Sequence, residues 1–130
     1  MTWRVPTAIS FGAVGGALTR YYLGLVVTRW VGAAFPWATL TINVSGSLAI
    51  GYLATWFTTT AGVPREVQLM ALVGFVSSYT TFSTYGLETV RLWQEQRPLA
   101  ALGYVVLSEG LGVTAVCLGM ILGRRWPLLP

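Results

Sequence analysis

The sequence predicts an all-α integral membrane protein with four transmembrane helices, the third of them broken, and three observations support this fold class. Hydrophobic residues make up 55% of the 130-residue chain and charged residues only 9%, a balance that soluble domains rarely have. Four apolar stretches are each about 20 residues or longer, enough to cross a hydrocarbon core of roughly 30 Å. A run of polar side chains interrupts the third stretch, where a continuous apolar helix would suit lipid better.

Short connections separate the apolar stretches, which leaves no room for a second domain and predicts one transmembrane domain over residues 1–130. The first stretch is longer than the apolar region of a signal sequence and contains Arg20, so we expect it to be retained. The predicted spans run from Ala8 to Val27, from Trp37 to Phe57, from Val67 to Val90 and from Leu99 to Leu122.

The charged residues predict no preferred orientation in the membrane. All eight basic residues are Arg, all four acidic residues are Glu, and the net charge is +4. With four spans, one compartment receives Arg4, Arg65, Arg124 and Arg125, and the other receives Arg29, Arg91 and Arg97. This small bias favours insertion in both orientations, although a single Arg deciding the orientation is the alternative. Two oppositely oriented copies can pair about an in-plane two-fold axis, so we predict an antiparallel (dual-topology) homodimer.

Several functional classes lack the residues that they need. The chain contains no His, a single Cys and no paired carboxylates. Side-chain metal sites and hydrolytic catalysis are therefore not expected, and the protein is not predicted to be an enzyme. The Arg residues form no groove-sized basic cluster, so nucleic acid is not an expected partner.

The most informative segment is the polar run inside the third span, Thr80-Thr81-Phe82-Ser83-Thr84-Tyr85. It follows Gly74-Phe75-Val76-Ser77-Ser78, where small residues allow the backbone to leave helical geometry. Polar groups at this depth are costly unless they are satisfied or used. We therefore predict a functional break in this helix.

Polar side chains also line one face of two other spans. In the second span Thr39, Asn43 and Ser47 recur every four residues, and Tyr104 and Ser108 do so in the fourth. Hydroxyls, an amide and electropositive aromatic edges could pass a small, partly dehydrated anion without a fixed charge that would trap it. The structural alternative is that Asn43 simply links helices through hydrogen bonds.

Two ionisable residues lie at similar depth within predicted spans. Glu109 follows Pro98 by 11 residues, or roughly 16 Å along a helix, and Arg20 lies about as far from the same side. Intramembrane charges are usually paired because a lone one is costly. We predict an ion pair between Arg20 and Glu109, within one subunit or across the dimer.

These motifs resemble those of the CrcB/Fluc family of fluoride channels, and the resemblance covers nearly the whole chain. The segment from Gly15 to Tyr21 is similar to the family's Gly-x-x-x-Arg-Tyr/Trp motif. The segment from Thr39 to Gly46 is similar to its Thr-Leu-x-x-Asn-x-x-Gly motif. The segment from Gly74 to Thr84 is similar to its third-helix signature, Gly-Gly-x-Thr-Thr-Phe-Ser-Thr-Phe.

The resemblance implies a passive, fluoride-selective channel that exports fluoride across a prokaryotic plasma or inner membrane. It implies an antiparallel homodimer in lipid, or a pair with a paralogous subunit, with a structural sodium ion held by the backbone carbonyls of Ser77 and Thr80. The pore residues that it implies are Thr39, Asn43, Phe82, Ser83, Thr84, Tyr85, Tyr104 and Ser108. Phe82 and Tyr85 would form an aromatic box.

The chain also departs from the family pattern. Tyr85 stands where the family usually has a second Phe, Ser77 replaces a Gly, and Glu109 is unexpected. Gly112 and Val116 replace a common Ser and Thr in the fourth helix. These departures leave open a non-conducting paralogue and a proton-coupled exporter of the small multidrug type that uses Glu109. A membrane protein that only packs helices is the third alternative.

Overall fold

A computed structural model of the chain describes residues 3–125, and this part of the chain is helical apart from its turns and one internal break. The prediction of an all-α fold is thereby confirmed. The helices are α1 (Arg4–Val31), α2 (Trp37–Thr59), α3 (Arg65–Leu69), a π-helical segment (Met70–Val76), α4 (Ser77–Tyr79), α5 (Phe82–Gln94) and α6 (Pro98–Arg125).

Each of the four predicted apolar stretches lies within a helix, or a broken series of helices, that extends beyond it. Local residue chemistry sets several of the ends. Gly32, at φ 89°, terminates α1 and donates its N–H to the carbonyl of Thr28 at 2.9 Å. Pro36 and Pro64 directly precede α2 and α3, and Pro98 begins α6, where a missing N–H costs nothing.

The break in the third helix is two residues long. Thr80 (φ −80°, ψ 160°) and Thr81 (φ −150°, ψ 113°) are extended, between the end of α4 and the start of α5. The π-helical segment just upstream was not expected from the sequence. π-helical turns are rare, and they frequently occur at functional sites.

Close helix contacts at glycines hold the bundle together. An added methyl group on Gly16 would collide with the carbonyl of Phe75, and one on Gly119 would collide with the carbonyl of Leu48. The first contact joins α1 to the π-helical segment and the second joins α2 to α6, the most extensive helix pair. Gly51 also belongs to the α2–α6 contact. Small residues thus allow backbone-to-backbone packing between helices.

Much of the apolar surface lies outside the bundle. Phe11 is 75% exposed and Leu99 84% exposed, and large apolar side chains are exposed along α1 and α6. Surfaces of this extent mark contact with lipid or with another protein. Within residues 3–125, α6 alone combines the length and apolar composition of a membrane-crossing helix.

The glycine contacts predict a sharp difference between two substitutions on α6. Gly119→Ala should destabilise the fold by about 1–3 kcal/mol, because the new methyl group forces α2 and α6 apart. Gly103→Ala is the control, since a methyl group there would meet nothing within 4 Å. Thermal unfolding of the purified proteins in detergent measures both. Equal melting temperatures would contradict the packing role of Gly119.

Candidate functional site

The helix break is held by the side-chain amide of Asn43, which lies opposite it on α2. Asn43 Oδ1 accepts the N–H of Thr81 at 2.8 Å, and Asn43 Nδ2 donates to the Thr81 carbonyl at 3.0 Å. Both backbone groups of one extended residue are therefore satisfied by one amide. Asn43 therefore links helices through hydrogen bonds, which is the structural alternative given above. Its amide has a second N–H, which can still donate to another acceptor.

Close approach of α2 to the break depends on Gly46. A methyl group on Gly46 would collide with Cγ2 of Thr80 and lie 3.2 Å from the ring of Tyr79. Tyr79 also shares a hydrogen bond of 2.7 Å with Ser45. The face of α2 that carries Asn43 is therefore fitted closely to the broken helix.

The hydroxyls that follow the break form the cap of α5. Thr81 Oγ1 accepts the backbone N–H of Thr84 at 3.2 Å and donates to Thr84 Oγ1 at 3.0 Å. Ser83 Oγ lies 3.4 Å from the same Thr81 oxygen. Such a cap satisfies a helix N-terminus that would otherwise expose free N–H groups. Ser83 and Thr84 do not line the cavity described below, so their pore role stays a prediction.

Two carbonyls at the break are released from ordinary helical pairing. In a continuous helix the Thr81 N–H would donate to Ser77, but here it donates to Asn43. The carbonyl of Thr80 lies in extended backbone and accepts only a long 3.5 Å contact from Arg20 Nη1. Backbone carbonyls freed in this way are the ligands that unwound membrane helices offer to cations. The carbonyl oxygens of Ser77 and Thr80 are therefore chemically suitable as the sodium ligands that the sequence resemblance implies.

A cavity of about 340 Å³ adjoins the break. Helices α2, α5 and α6 and the break itself all contribute to its wall. Residues from the predicted site that line it are Asn43, Thr80, Phe82, Tyr85, Ser108 and Glu109. The sequence therefore predicted residues that the fold brings together from four separate segments.

Ser108 supplies an unusual group to this cavity. Its Oγ is buried and has no hydrogen-bond partner among residues 3–125. Most buried hydroxyls are paired, because an unpaired one loses its bonds to water without replacement. An O–H group in this situation can donate to an anion that enters the cavity.

Aromatic rings run from the cavity into the core. Phe82 and Tyr85 have ring centroids 5.6 Å apart, and Tyr85 meets Tyr104 edge-on at 5.2 Å. Phe82 is 81% exposed, while Tyr104 is 0% exposed. The two predicted box residues are thus adjacent, and one of them faces out of the single chain.

Beyond these rings lies a partly buried hydrogen-bonded cluster that joins α2, α5 and α6. Thr39 Oγ1 donates to Glu88 Oε1 at 2.9 Å, and the Tyr104 hydroxyl donates to Glu88 Oε2 at 2.7 Å. The sequence analysis selected Thr39 and Tyr104 but not Glu88. An ionisable residue inside a predicted span, one helical turn after Tyr85, was the signal that could have identified it.

Glu88 also lines a second cavity, of about 240 Å³, at the end of the bundle where α1 meets α2 and α5 meets α6. Arg91 and Arg97 line this cavity too. Arg97 donates to the carbonyl of Ala34 at 2.7 Å and lies 3.8 Å from Glu95. This end therefore presents two guanidinium groups together with the carboxylates of the half-buried Glu88 and of Glu95.

Arg20 and Glu109 do not pair within one chain. Arg20 contacts the Thr80 carbonyl, whereas Glu109 is exposed and interacts with Tyr85. The single ion pair formed between described residues joins Arg97 to Glu95. The intrachain form of the predicted pair is wrong because α1 packs against the broken helix rather than against α6. A pair across a dimer stays a prediction.

This combination of fold and site defines a class. A helix broken at its centre, with its backbone groups satisfied by a side chain and polar residues gathered around a cavity, is the arrangement of membrane transport proteins with discontinuous helices.

Comparison with known proteins identifies the family within that class. Residues 7–120 match the family described as CrcB-like protein, Camphor Resistance (CrcB), and the chain belongs to this family. A protein of a Synechococcus species is 44% identical over 123 residues, covering 95% of both chains. One from Trichormus variabilis is 44% identical over 124 residues, covering 95% of this chain and 90% of the relative.

A third relative, from Nitrobacter winogradskyi, is 36% identical over 124 residues, which cover 95% of this chain and 98% of the relative. All three relatives carry the name fluoride-specific ion channel FluC. Membership of this family also makes the chain a membrane protein.

Asn43→Ala should destabilise the fold by about 1–3 kcal/mol, because the N–H and carbonyl of Thr81 lose their partner. Thr41→Ala, at an exposed position on the same helix, should leave stability nearly unchanged. The measurement is the melting temperature of each purified protein in the same detergent. If the two variants have the same melting temperature, Asn43 does not stabilise the break.

Proposed function

We propose that the chain is a passive, fluoride-selective ion channel that exports fluoride and so lowers its concentration in the cytoplasm. Its family and the names of its relatives support this activity. The observation that supports this activity in the present chain is the cavity at the break. Ser108, whose hydroxyl has no partner among the described residues, lines this cavity together with Phe82 and Tyr85. A hydroxyl donor and two aromatic edges suit a small anion and hold it weakly.

The ion path runs from this cavity towards the partly buried cluster at Glu88 and on to the second cavity. Tyr85 and Tyr104 are adjacent, and Tyr104 donates to Glu88, which lines the second cavity. Thr39 and Tyr104 then act as movable donors, since each can exchange its bond to Glu88 for one to fluoride. Arg91 and Arg97 provide N–H donors for an anion at the far end, where Glu88 and Glu95 balance their charge.

The working assembly is an antiparallel homodimer of four-span subunits in a prokaryotic plasma or inner membrane. Phe82 is 81% exposed in a single chain although it borders the cavity. A second copy is the partner that would enclose this ring and complete the wall. The near balance of Arg residues between the two sides supports insertion in both orientations.

A structural sodium ion fits the break. Its ligands would be the carbonyls of Ser77 and Thr80, which lack ordinary helical donors, together with the same pair from the second copy. Bound sodium supplies positive charge that satisfies these carbonyl oxygens at membrane depth. Arg20, 3.5 Å from the Thr80 carbonyl, adds positive charge from within the chain.

Fluoride efflux from liposomes tests the proposed activity directly. Purified protein should release fluoride rapidly under a potassium clamp and release chloride far more slowly. Phe82→Ile should suppress fluoride efflux about tenfold or more, because it removes the aromatic edge at the cavity. Phe11→Ile changes an exposed Phe that does not line this cavity and should keep the wild-type rate. Well-folded protein without fluoride efflux would refute the channel.

Ser108→Ala separates a conducting hydroxyl from a structural one. Because Ser108 Oγ has no partner, its loss should leave the melting temperature unchanged or raise it. Fluoride efflux should nevertheless fall about threefold or more, since the anion loses a donor. Ser10→Ala, which removes a hydroxyl bonded to its own helix, is the control. A slower Ser10→Ala variant, or a Ser108→Ala variant that conducts normally, would argue against this role.

A further inference from the structure

Glu109 places a carboxylate at the cavity next to the break. It directly follows Ser108 on α6, and both residues line the cavity with Phe82 and Tyr85. The Glu109 side chain is exposed in the single chain. Within the chain it interacts with Tyr85, which lines the same cavity.

The charges around the cavity leave this carboxylate without a countercharge in the described part of the chain. Arg20 on α1 is directed to the Thr80 carbonyl. Glu88 on α5 accepts from Thr39 and Tyr104 and adds a negative charge of its own. The tyrosine hydroxyls here are neutral donors. A negative charge therefore stands at the wall of a cavity that otherwise offers donors and aromatic edges.

Tyr85 and Glu109 depend on one another for this arrangement. A Phe at position 85 would retain the ring contacts with Phe82 and Tyr104 but would have no hydroxyl to donate. A hydroxyl close to the carboxylate can hold it at the cavity that both residues line. Tyr85 thus acts as a positioning residue for the charge of Glu109.

We propose that Glu109 is a rate-setting residue of this channel, whose negative charge slows fluoride passage and whose position is fixed by Tyr85. This inference rests on the proposed fluoride conduction and assigns a residue that tunes it. Repulsion between like charges separated by roughly 10 Å corresponds to about a tenfold effect at an effective dielectric constant near 20. Screening by salt reduces this repulsion, because the carboxylate is exposed.

The test compares fluoride efflux from liposomes for the wild type and for Glu109→Gln, which removes the charge and keeps the size. Efflux should rise about threefold to tenfold. Glu66→Gln makes the same chemical change at the start of α3, outside both cavities, and should leave the rate unchanged. An unchanged rate for Glu109→Gln, or an equal rise for Glu66→Gln, would overturn the proposal.

Tyr85→Phe tests the positioning role by a second route that keeps the aromatic ring. Efflux should rise about twofold to fivefold in the wild-type background and should change little when added to Glu109→Gln. Equal effects in the two backgrounds would overturn the coupling. This variant also keeps the proposal testable if Glu109→Gln does not fold as a monodisperse protein.

The outcomes also separate this proposal from the channel function itself. Abolished efflux in Glu109→Gln would overturn the rate-setting role and favour a carrier in which the acid takes part in transport. A wild type without fluoride efflux would overturn the proposed function and this inference together. An active wild type whose rate is insensitive to Glu109 and Tyr85 would overturn this inference alone.

Discussion

The pairing of Asn43 with Thr81 is the interaction on which the rest of the site depends. A break in a helix exposes N–H and carbonyl groups that lipid cannot satisfy. One amide side chain satisfies both groups of Thr81, at 2.8 and 3.0 Å. Because the Thr81 N–H is engaged there, the Ser77 carbonyl is freed, and because α5 restarts at Phe82, the aromatic ring stands at the cavity. The backbone geometry of the break, the free Ser77 carbonyl and the position of the Phe82 ring therefore follow from one contact.

The glycine contacts explain how such a break is supported. Gly46 lets α2 approach the extended residues, and Gly16 lets α1 lie against the helix just before them. Gly119 fixes α6 to α2, which brings Ser108 and Tyr104 to the same side as Asn43. In a closely packed interior, a backbone shift of a few tenths of an ångström is passed on to the neighbouring helices. The polar residues are therefore positioned by small residues that take no part in the chemistry.

Much of this arrangement could be predicted from sequence. Apolar stretches of sufficient length indicated the helices, and polar residues inside them indicated the break and the side chains Asn43 and Ser108. What escaped prediction depends on three-dimensional packing. Glu88 was not placed among the pore residues because its partners lie on two other helices. Arg20 was paired with Glu109 because the two charges lie at similar depth, whereas it contacts the Thr80 carbonyl. Depth fixes a residue along the membrane normal but not around the bundle, so equal depth does not make two residues neighbours.

The self-contained pairing at the break also has a consequence for biogenesis. Thr81 finds its partner on α2 of its own chain, so the break does not depend on a neighbour for these two bonds. A newly made subunit can therefore remain in lipid with its interrupted helix already formed. In the antiparallel dimer proposed above, encounter with an oppositely oriented copy would be a later step, driven by burial of the exposed Phe82 face. Insertion and assembly of such a dimer would then be separate events, and a subunit could wait for its partner without unfolding at the break.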